Sequence, residues 1–358
     1  MVTNTAIHKH LTSLLFALVC GMFINTQALA ITISGTCKQA DNITDCTDTG
    51  TIRFTTNVNG GVLYAEKQDI VAGTWSISGI PAFPTVPDLI VTLFIDGATD
   101  AQEAVAVFRY SGTGDTTGVE LIESHLTIGS DHNSGLSNHD LRFYDHSASG
   151  DEDIFYDVDD ITNVLTVDVT GNTPNNTFYI KSNNPYTPGP NTGINAHHVE
   201  INGTLGLGSN TMNVSGDWEM TNGVFNRDTS TVNFTGTGTI SNDVYNWWNK
   251  AFYNVSAAAA GHTTTILAGR GTVVKNTLTL GTGTLAGGSM VLNKAGTPLI
   301  TAGTTISSPI KYSPPPGAVV NITGTNYARL WLAENSSAND STFNLLGDLS
   351  CTTLISQP

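Results

Sequence analysis

Charged residues are scarce in this chain, and basic residues are the scarcest of them. Among 358 residues there are 14 Lys or Arg against 30 Asp or Glu, which gives a formal net charge of −16. A surface that binds nucleic acid needs clustered cations, and the sequence contains no such cluster. We therefore exclude nucleic acid as a partner and interpret the acidity as a property that favours solubility.

Long apolar runs are also missing after the first thirty residues. Leu11–Ile24 (LTSLLFALVCGMFI) follows Lys9 and precedes the small-x-small site Ala28-Leu29-Ala30. The run is shorter than the roughly 20 residues that span a bilayer, and its flanks are those of a secretory signal peptide. We predict a signal peptide over residues 1–30, a secreted or cell-surface location, and no membrane span in the mature chain.

Cysteine is rare, with four in the whole chain. Removal of the signal peptide leaves Cys37, Cys46 and Cys351. In an oxidising compartment Cys37 and Cys46 can close a small loop around KQADNITD, so we predict a disulfide between them. Cys351 is then either a buried thiol or a residue whose partner lies in a longer chain.

Short catalytic signatures are absent as well. The sequence lacks the nucleophile elbow G-x-S-x-G, the phosphate-binding G-x-x-x-x-G-K-[ST] and the zinc motif H-E-x-x-H. After residue 196 carboxylates are sparse, and nothing in the sequence forces any two of them together. We therefore predict that the protein is not an enzyme. The carboxylates of this half are Glu200, Asp217, Glu219, Asp228, Asp243, Glu334, Asp340 and Asp348.

Turn and strand formers are what the chain does contain. Gly numbers 36, and Thr, Asn and Ser fill most of the length, a composition typical of many short strands. Residues 31–110 hold alternating runs such as TIRFTTNV and LIVTLFIDG, which predict a β-sandwich. Within it, GTWSISGI (73–80) resembles a strand of Cna-B or carboxypeptidase-regulatory-like modules, which are sandwiches used as spacers in bacterial surface proteins.

The remaining chain divides into a connecting region and a repetitive region. Residues 111–195 are predicted to form further strands that begin a solenoid, with SNNPYTPGPNTG (182–193) as a loop or linker because proline cannot donate ladder hydrogen bonds. From 196 to 358, phrases such as TSTVNFTGTGTI (229–240) predict stacked β-coils. NGTLGLGS (202–209) recurs as KNTLTLGT (275–282), which suggests a period of several coils.

We therefore predict an all-β protein in which an N-terminal β-sandwich is followed by a right-handed parallel β-helix (β-solenoid). Apolar side chains should point inward, and Thr, Ser and Asn should form hydrogen-bonded ladders outside. The inward set is predicted to include Leu205, Leu207, Phe234, Leu278 and Leu280.

The order of phrases in residues 203–293 carries a resemblance to bacterial secreted proteins. VSGDW, TSTVNFTGTGTI, FYNV and NTLTLGTGTL follow one another as in the β-strand-repeat regions of large adhesins, which are similar to filamentous-haemagglutinin-type β-helices. The resemblance implies a structural or adhesive cell-surface role. The sequence ends without a polar cap, so we expect a truncated chain or an end that pairs with something else.

The acidic run DEDIFYDVDD (151–160) is the best candidate for a cation site. In an extended conformation Asp151, Asp153, Asp157 and Asp159 share one face and offer hard oxygen ligands suited to calcium. The alternative is a solvated acidic edge that deters pairing between sheets. We predict no other cofactor.

Histidines and aromatic residues supply two further candidates. A histidine recurs every seven residues at His125, His132, His139 and His146, but in strands and loops this spacing alternates faces. We interpret these four as surface histidines rather than zinc ligands. Tyr245, Trp247 and Trp248 are candidate ligand contacts, because exposed aromatic faces stack on sugars. Packing of the two tryptophans in the core is the alternative.

Two functions remain after these exclusions. The first is a stiff secreted β-solenoid shaft that attaches to surfaces or binds a glycan or protein ligand. The alternative is a carbohydrate-active β-helix enzyme, a polysaccharide lyase or hydrolase, which would need paired carboxylates in a groove. An ice-binding surface is a third, minor hypothesis, opposed by the lack of a strict T-x-T repeat.

Overall fold

The computed structural model describes most of residues 31–358. The described residues are 31–46, 51–57, 63–65, 70–80, 89–99, 102–110, 114–132, 135–168, 176–220, 222–242, 249–333 and 340–357. The predicted signal peptide (1–30) lies outside them. No helix within these ranges is long and apolar enough to cross a membrane.

The described part of the chain is nearly all β: 59% of these residues lie in strands and 4% in helices, and they contain a parallel β-solenoid of about 11 turns. The predicted fold class is therefore confirmed. The N-terminal strands are β1 Ile31–Lys38, β2 Thr51–Thr56, β3 Leu63–Ala65, β4 Thr74–Ile80, β5 Leu89–Asp96, β6 Val105–Tyr110 and β7 Thr116–Ile122.

Two sheets pack face to face at the N-terminus. The small sheet has the order β4-β1-β7, with β1 antiparallel to β4 and parallel to β7. The larger sheet pairs β3, β2, β5 and β6 in antiparallel fashion. Strand β5 is buried on both faces, because Val91 and Leu93 pack in the core shared with the small sheet and Ile90 and Phe94 pack in the solenoid core.

The larger sheet continues into the solenoid. Strand β6 pairs in parallel with β8 (His125–Ile128), which pairs in parallel with β11 (Thr177–Ile180). The small sheet includes β7, which lies beyond residue 110. The two N-terminal sheets and the first coils are therefore connected by hydrogen bonds across the boundary that we predicted at residue 110.

The remaining strands form the three faces of the solenoid coils, except for β9, which pairs antiparallel with β10. Their bounds are β9 Tyr156–Val158, β10 Leu165–Val167, β12 Pro185–Tyr186, β13 Gly193–Ala196, β14 His198–Ile201, β15 Thr204–Gly206, β16 Thr211–Val214, β17 Trp218–Met220, β18 Val224–Asn226, β19 Thr231–Phe234, β20 Gly238–Asn242, β21 Phe252–Ala257, β22 Thr263–Leu280, β23 Thr284–Leu292, β24 Leu299–Thr301, β25 Thr305–Tyr312, β26 Val319–Thr323, β27 Asn326–Ala333, β28 Thr342–Leu346 and β29 Ser350–Gln357.

Parallel pairing assigns these strands to the faces. The first face contains β8, β11, β14, β17 and β20 and the first residues of β22, β23, β25, β27 and β29. The second contains β10, β13, β16, β19, β21, the end of β22 and β24. The third begins with β12, β15 and β18.

Coil length varies along the solenoid. In-register residues on adjacent coils are 18 positions apart between β13 and β16, 23 apart between β19 and β21, and 29 apart between β10 and β13. The corners and loops absorb these differences.

Apolar side chains fill the interior as predicted. Leu205, Leu207, Phe234, Leu278 and Leu280 are at most 4% exposed. They belong to one hydrophobic core that extends from β5 to β27. The alternation of apolar and polar residues in the strands accounts for this, because successive side chains of a strand point to opposite sides.

Two details of the repetitive region differ from expectation. Leu205 lies on the third face, whereas its sequence equivalent Leu278 pairs with Val255 and Leu299 on the second. The repeated phrase is therefore not a structural period. Within the predicted loop 182–193, Pro185 and Tyr186 form strand β12 and pair with β15; proline is tolerated there because it is the first residue of the strand.

A short helical segment packs against the first coils. It contains α1 (Asn138–Leu141), a 3-10 turn (Arg142–Tyr144) and α2 (His146–Ser149). We call residues 135–158 the end segment. Its side chains Leu141, Ile154, Phe155 and Tyr156 are fully buried and join the core of the coils.

Candidate functional site

The first face carries two glutamates on adjacent coils. Glu200 of β14 pairs in register with Glu219 of β17. Their strand neighbours Val199 and Trp218 point into the core, so both carboxylates point outward. Strands of one sheet lie about 4.8 Å apart, which places the two carboxyl groups side by side on the outer side of the sheet.

The environment of Glu200 favours its protonated form. Burial, followed by the negative charge of Glu219, raises the pKa of Glu200 to about 7. The Asn202 amide donates a hydrogen bond of 2.7 Å to Glu200 Oε1 and opposes the shift. Glu120 adds a smaller repulsion. Perturbed carboxyl groups of this kind are typical of functional sites, although structural networks produce them too.

Glu120 connects this region to the small sheet. It lies on β7, and its carboxylate accepts a hydrogen bond of 3.3 Å from the Tyr179 hydroxyl and forms an ion pair with Lys181. Tyr179 is the in-register neighbour of Glu200 on the preceding strand. Glu120, Tyr179, Lys181, Glu200 and Glu219 therefore form one polar cluster, which we call the glutamate cluster.

The raised pKa of Glu200 predicts a pH-dependent stability. Between pH 4.5 and about 7 the folded protein keeps a proton that the unfolded chain has released, so the free energy of unfolding falls as pH rises through this range. The decrease from this group is about 3 kcal/mol at most, and less where solvent screens its exposed part. In Glu200→Gln this contribution is absent, and urea denaturation at pH 5, 6, 7 and 8 measures the difference.

Glu152→Gln is the matched control, because Glu152 is exposed in the end segment. It should keep the pH dependence of the wild type. Equal slopes in the wild type and Glu200→Gln would contradict a protonated Glu200 in the folded state.

The predicted calcium ligands do not all meet. Residues 151–155 form a turn rather than a strand. It brings Asp151 and Asp153 to Asp96 at the end of β5, with one oxygen of each within 4.8 Å of the others. Asp157 instead accepts a hydrogen bond from the Ser147 amide, and Asp159 accepts from the backbone amides at positions 161 and 162.

The three clustered carboxylates already have other partners. Arg53 Nη2 lies 2.9 Å from Asp96 Oδ2, and the Gly97 amide donates to Asp153 Oδ2 at 2.9 Å. Burial raises the pKa of Asp153, and the negative charges of Asp151 and Asp96 add to this. Carboxylates crowded in this way would gain from a divalent cation, and these oxygens are the ligand type that calcium takes.

Calcium addition therefore tests the site. With a Kd near 1 mM, typical of weak extracellular sites, 10 mM CaCl2 should stabilise the wild type by about 1.4 kcal/mol in urea denaturation. Asp153→Asn should lose this increment. Asp159→Asn should keep it, because Asp159 lies outside the cluster. Loss in Asp159→Asn would favour the four-ligand prediction, and no increment in the wild type would contradict calcium binding at either set.

The histidines differ in their exposure. His125 is 6% exposed, so the surface interpretation is wrong for it. Burial lowers its pKa to about 4, and its Nδ1 lies 2.7 Å from the Glu123 carbonyl oxygen. The outer side of β8 is covered where the small sheet packs, a contact that the sequence spacing does not reveal. His139 is exposed, and His132 and His146 are partly exposed.

The predicted disulfide between Cys37 and Cys46 is confirmed. Cys37 and Cys46 are joined with their Cα atoms 5.4 Å apart, and Cys351 is a partly buried free thiol.

Tyr245, Trp247 and Trp248 lie outside the described residues, so their role as ligand contacts stays a prediction.

The sequence contains Glu200 and Glu219 but does not show that they pair. The signal lies in their separation, which is close to one coil length. It becomes visible only when the coil length and the strand register are known.

Comparisons with known proteins identified no relative of this chain. No protein-family model, no curated protein and no solved structure matches this chain. The resemblances to adhesin repeats and to Cna-B modules therefore stay predictions.

Proposed function

We propose that the protein is a structural and adhesive shaft of a secreted, cell-surface protein, whose outer faces bind a glycan or protein ligand. The observation that carries the proposal is the single hydrophobic core shared by successive coils. Each coil buries its apolar face only by stacking on its neighbours. About 11 turns at about 4.8 Å each give a shaft roughly 50 Å long.

The outer surface supports this role. On the second face the Asn213 amide donates to Asn195 Oδ1 at 2.7 Å, and the Asn233 amide donates to Asn213 Oδ1 at 2.9 Å. The predicted ladders of identical polar side chains are thus present. Such ladders hold a regular row of amide groups in fixed positions, which suits repeated hydrogen bonds to a polymer of hydroxyl groups.

The experiment is a binding assay on the mature chain, residues 31–358. We expect small-angle X-ray scattering to show an elongated particle and a glycan array to show saturable binding to a repeating polysaccharide. Asn213→Ala, which interrupts the ladder, should weaken binding at least threefold, whereas Ser307→Ala on β25 should not. A glycan and protein panel without any binding partner would refute the adhesive part, and a compact scattering profile would refute the shaft.

The glutamate cluster favours a second candidate, a carbohydrate-active enzyme. Retaining glycosidases use two carboxyl groups about 5 to 5.5 Å apart, one of them protonated near neutral pH. Under this hypothesis Glu200 is the general acid and Glu219 the nucleophile. Reducing-sugar release from a polysaccharide panel tests it: release that is lost in both Glu200→Gln and Glu219→Gln would support hydrolysis, and no release by the wild type would reject it.

A further inference from the structure

A carboxylate, an imidazole and a hydroxyl lie on adjacent coils at the end of the second face. The strand register places them there: Thr166, Asn195 and Asn213 are in register on β10, β13 and β16. Two residues later on the same three coils come Asp168, His197 and Ser215. The solenoid therefore places a carboxylate, an imidazole and a hydroxyl on consecutive coils, although they are far apart in sequence. We call these last three residues the Asp-His-Ser column.

The imidazole and the hydroxyl are in direct contact. His197 Nδ1 and Ser215 Oγ are 2.8 Å apart, within the hydrogen-bond reach of a nucleophile and its base. Both side chains are partly exposed, so a ligand can reach them. Asp168 has a φ of 85°, a conformation that L residues rarely adopt and that often occurs at functional positions.

The column lines a cleft. The cleft has a volume of about 460 Å³ and is also lined by Asn195, Asn213 and Thr235. This is large enough for a small acyl group with its alcohol. Its walls are polar, and Val167 and Ala196 add apolar surface.

We propose that this cleft is a carboxylic-ester hydrolase site, with Ser215 as nucleophile, His197 as general base and Asp168 as the group that stabilises the imidazolium. The substrate class is a short-chain acyl ester of an alcohol, such as an acetylated hydroxyl. The site is separate from the glutamate cluster, and it shares Asn195 and Asn213 with the asparagine ladder.

The charge state of His197 suits this role. Burial lowers the pKa of His197, while the negative charges of Asp168 and Asp217 act in the opposite direction. The imidazole is therefore neutral at pH 7 and can accept a proton. Once protonated, it is stabilised by Asp168 beside it in the column, which is the electrostatic part played by the acid of a Ser-His-Asp triad.

The reaction balances without a further co-reactant. Ser215 Oγ attacks the carbonyl carbon while its proton passes to His197 Nδ1. The imidazolium returns this proton to the alcohol as the ester bond breaks, which leaves Ser215 acylated. Water then attacks the acyl group, His197 accepts its proton and returns it to Ser215, and the carboxylic acid leaves.

The asparagine ladder supplies a donor for the developing oxyanion. An amide nitrogen carries two N–H donors, and that of Asn213 gives one to Asn195 Oδ1. Asn213 also lines the cleft, two residues before Ser215, and in the proposed reaction its second N–H donates to the oxyanion. Side-chain amides serve this purpose in hydrolases, where removal of one donor lowers kcat about 10² to 10³-fold.

A serine-directed fluorophosphonate probe and p-nitrophenyl acetate test the site on the mature chain at pH 7.5. We expect one phosphonyl group on Ser215 by peptide mass mapping, with loss of fluoride. Hydrolysis should fall at least 100-fold in Ser215→Ala and His197→Gln. Ser307→Ala is the matched control, since that exposed hydroxyl donates to the Leu285 carbonyl oxygen instead of contacting an imidazole.

Circular dichroism and thermal melts confirm folding of each variant, so lost activity is not mistaken for lost structure. A folded wild type that is neither labelled nor active would overturn the proposal. So would equal labelling or hydrolysis by Ser215→Ala.

The role of Asp168 needs a measurement that would not change if Asp168 served only to maintain the structure. In Asp168→Asn the remaining charged or titratable neighbours of His197 are Asp217 and His198. The acidic limb of the kcat/KM profile should then move to lower pH, because the imidazolium has lost a stabilising charge, and kcat should fall about tenfold or more. An unchanged limb and rate would remove Asp168 from the site.

Discussion

Replacement of Trp218 by alanine is expected to lower the free energy of unfolding by about 4 kcal/mol. Trp218 is fully buried inside the solenoid. Its ring contacts Phe225 at 5.3 Å and Phe252 at 5.1 Å between centroids, and Phe234 lies at 6.4 Å. Because the four rings come from different strands, the cavity left by alanine would be shared by adjacent coils.

A polar contact adds to the cost. Trp218 Nε1 donates a hydrogen bond of 3.0 Å to Asn242 Oδ1 in the core. Truncation leaves this buried amide oxygen without its indole donor, and a buried acceptor that loses its partner costs about 1 to 3 kcal/mol. Trp218→Phe fills most of the volume and isolates this polar part.

Urea denaturation followed by circular dichroism measures both variants. Trp331→Ala is the matched control, since Trp331 is partly exposed on β27 with Lys311 Nζ 5.2 Å from its ring centroid. Its loss should cost less than half as much as the loss of Trp218. Similar costs for the two tryptophans would show that the aromatic cluster does not stabilise the coils as the packing indicates.

Asn138→Ala is expected to cost about 3 kcal/mol, the second-largest effect. Asn138 is fully buried in the end segment. Its Nδ2 donates to the carbonyl oxygens of Asn163 at 2.6 Å and Gly193 at 2.9 Å, and its Oδ1 accepts from the Tyr186 hydroxyl at 2.5 Å. One amide thus joins the end segment to β12 and β13, and alanine would leave these three groups without it.

Hydrogen exchange gives this prediction its specific readout. Amides of residues 138–158 should exchange faster in Asn138→Ala, whereas those of β22 and β23 should exchange as in the wild type at low denaturant. Asn344→Ala is the control, because Asn344 is exposed and its amide donates a long hydrogen bond of 3.4 Å to Asn321 Oδ1. If protection in the end segment is unchanged, Asn138 does not hold that segment to the coils.

The sequence was informative where a local pattern decides the structure. In TSTVNFTGTGTI, alternation alone indicates that Val232 and Phe234 point one way and Asn233 the other, and the structure buries the first two and places Asn233 in the outer ladder. The same period-2 rule identified the inward leucines. Such inferences need only the neighbouring residues.

Features that depend on the register between strands could not be predicted from the sequence. Glu200 meets Glu219, and Ser215 meets His197, because strands stack in one particular alignment. Corners and loops of unequal length separate the strands, so a fixed period counted along the sequence does not identify which residues pair. The four aspartates of the acidic run do not share one face for a related reason: residues 151–155 form a turn, and a face shared by alternate residues exists only in an extended chain.

The stacking of coils also determines how the molecule would respond to a pulling force. Backbone hydrogen bonds between coils run along the solenoid axis, so tension applied along it would load the pairings between adjacent coils, such as β27 with β29. The coils would then separate one at a time, and each step would release about 20 residues, or roughly 70 Å of extended chain. A single-molecule force–extension trace would show a series of small, similar steps. Stepwise opening of this kind would let the protein absorb mechanical work gradually and re-form its coils when the force is removed.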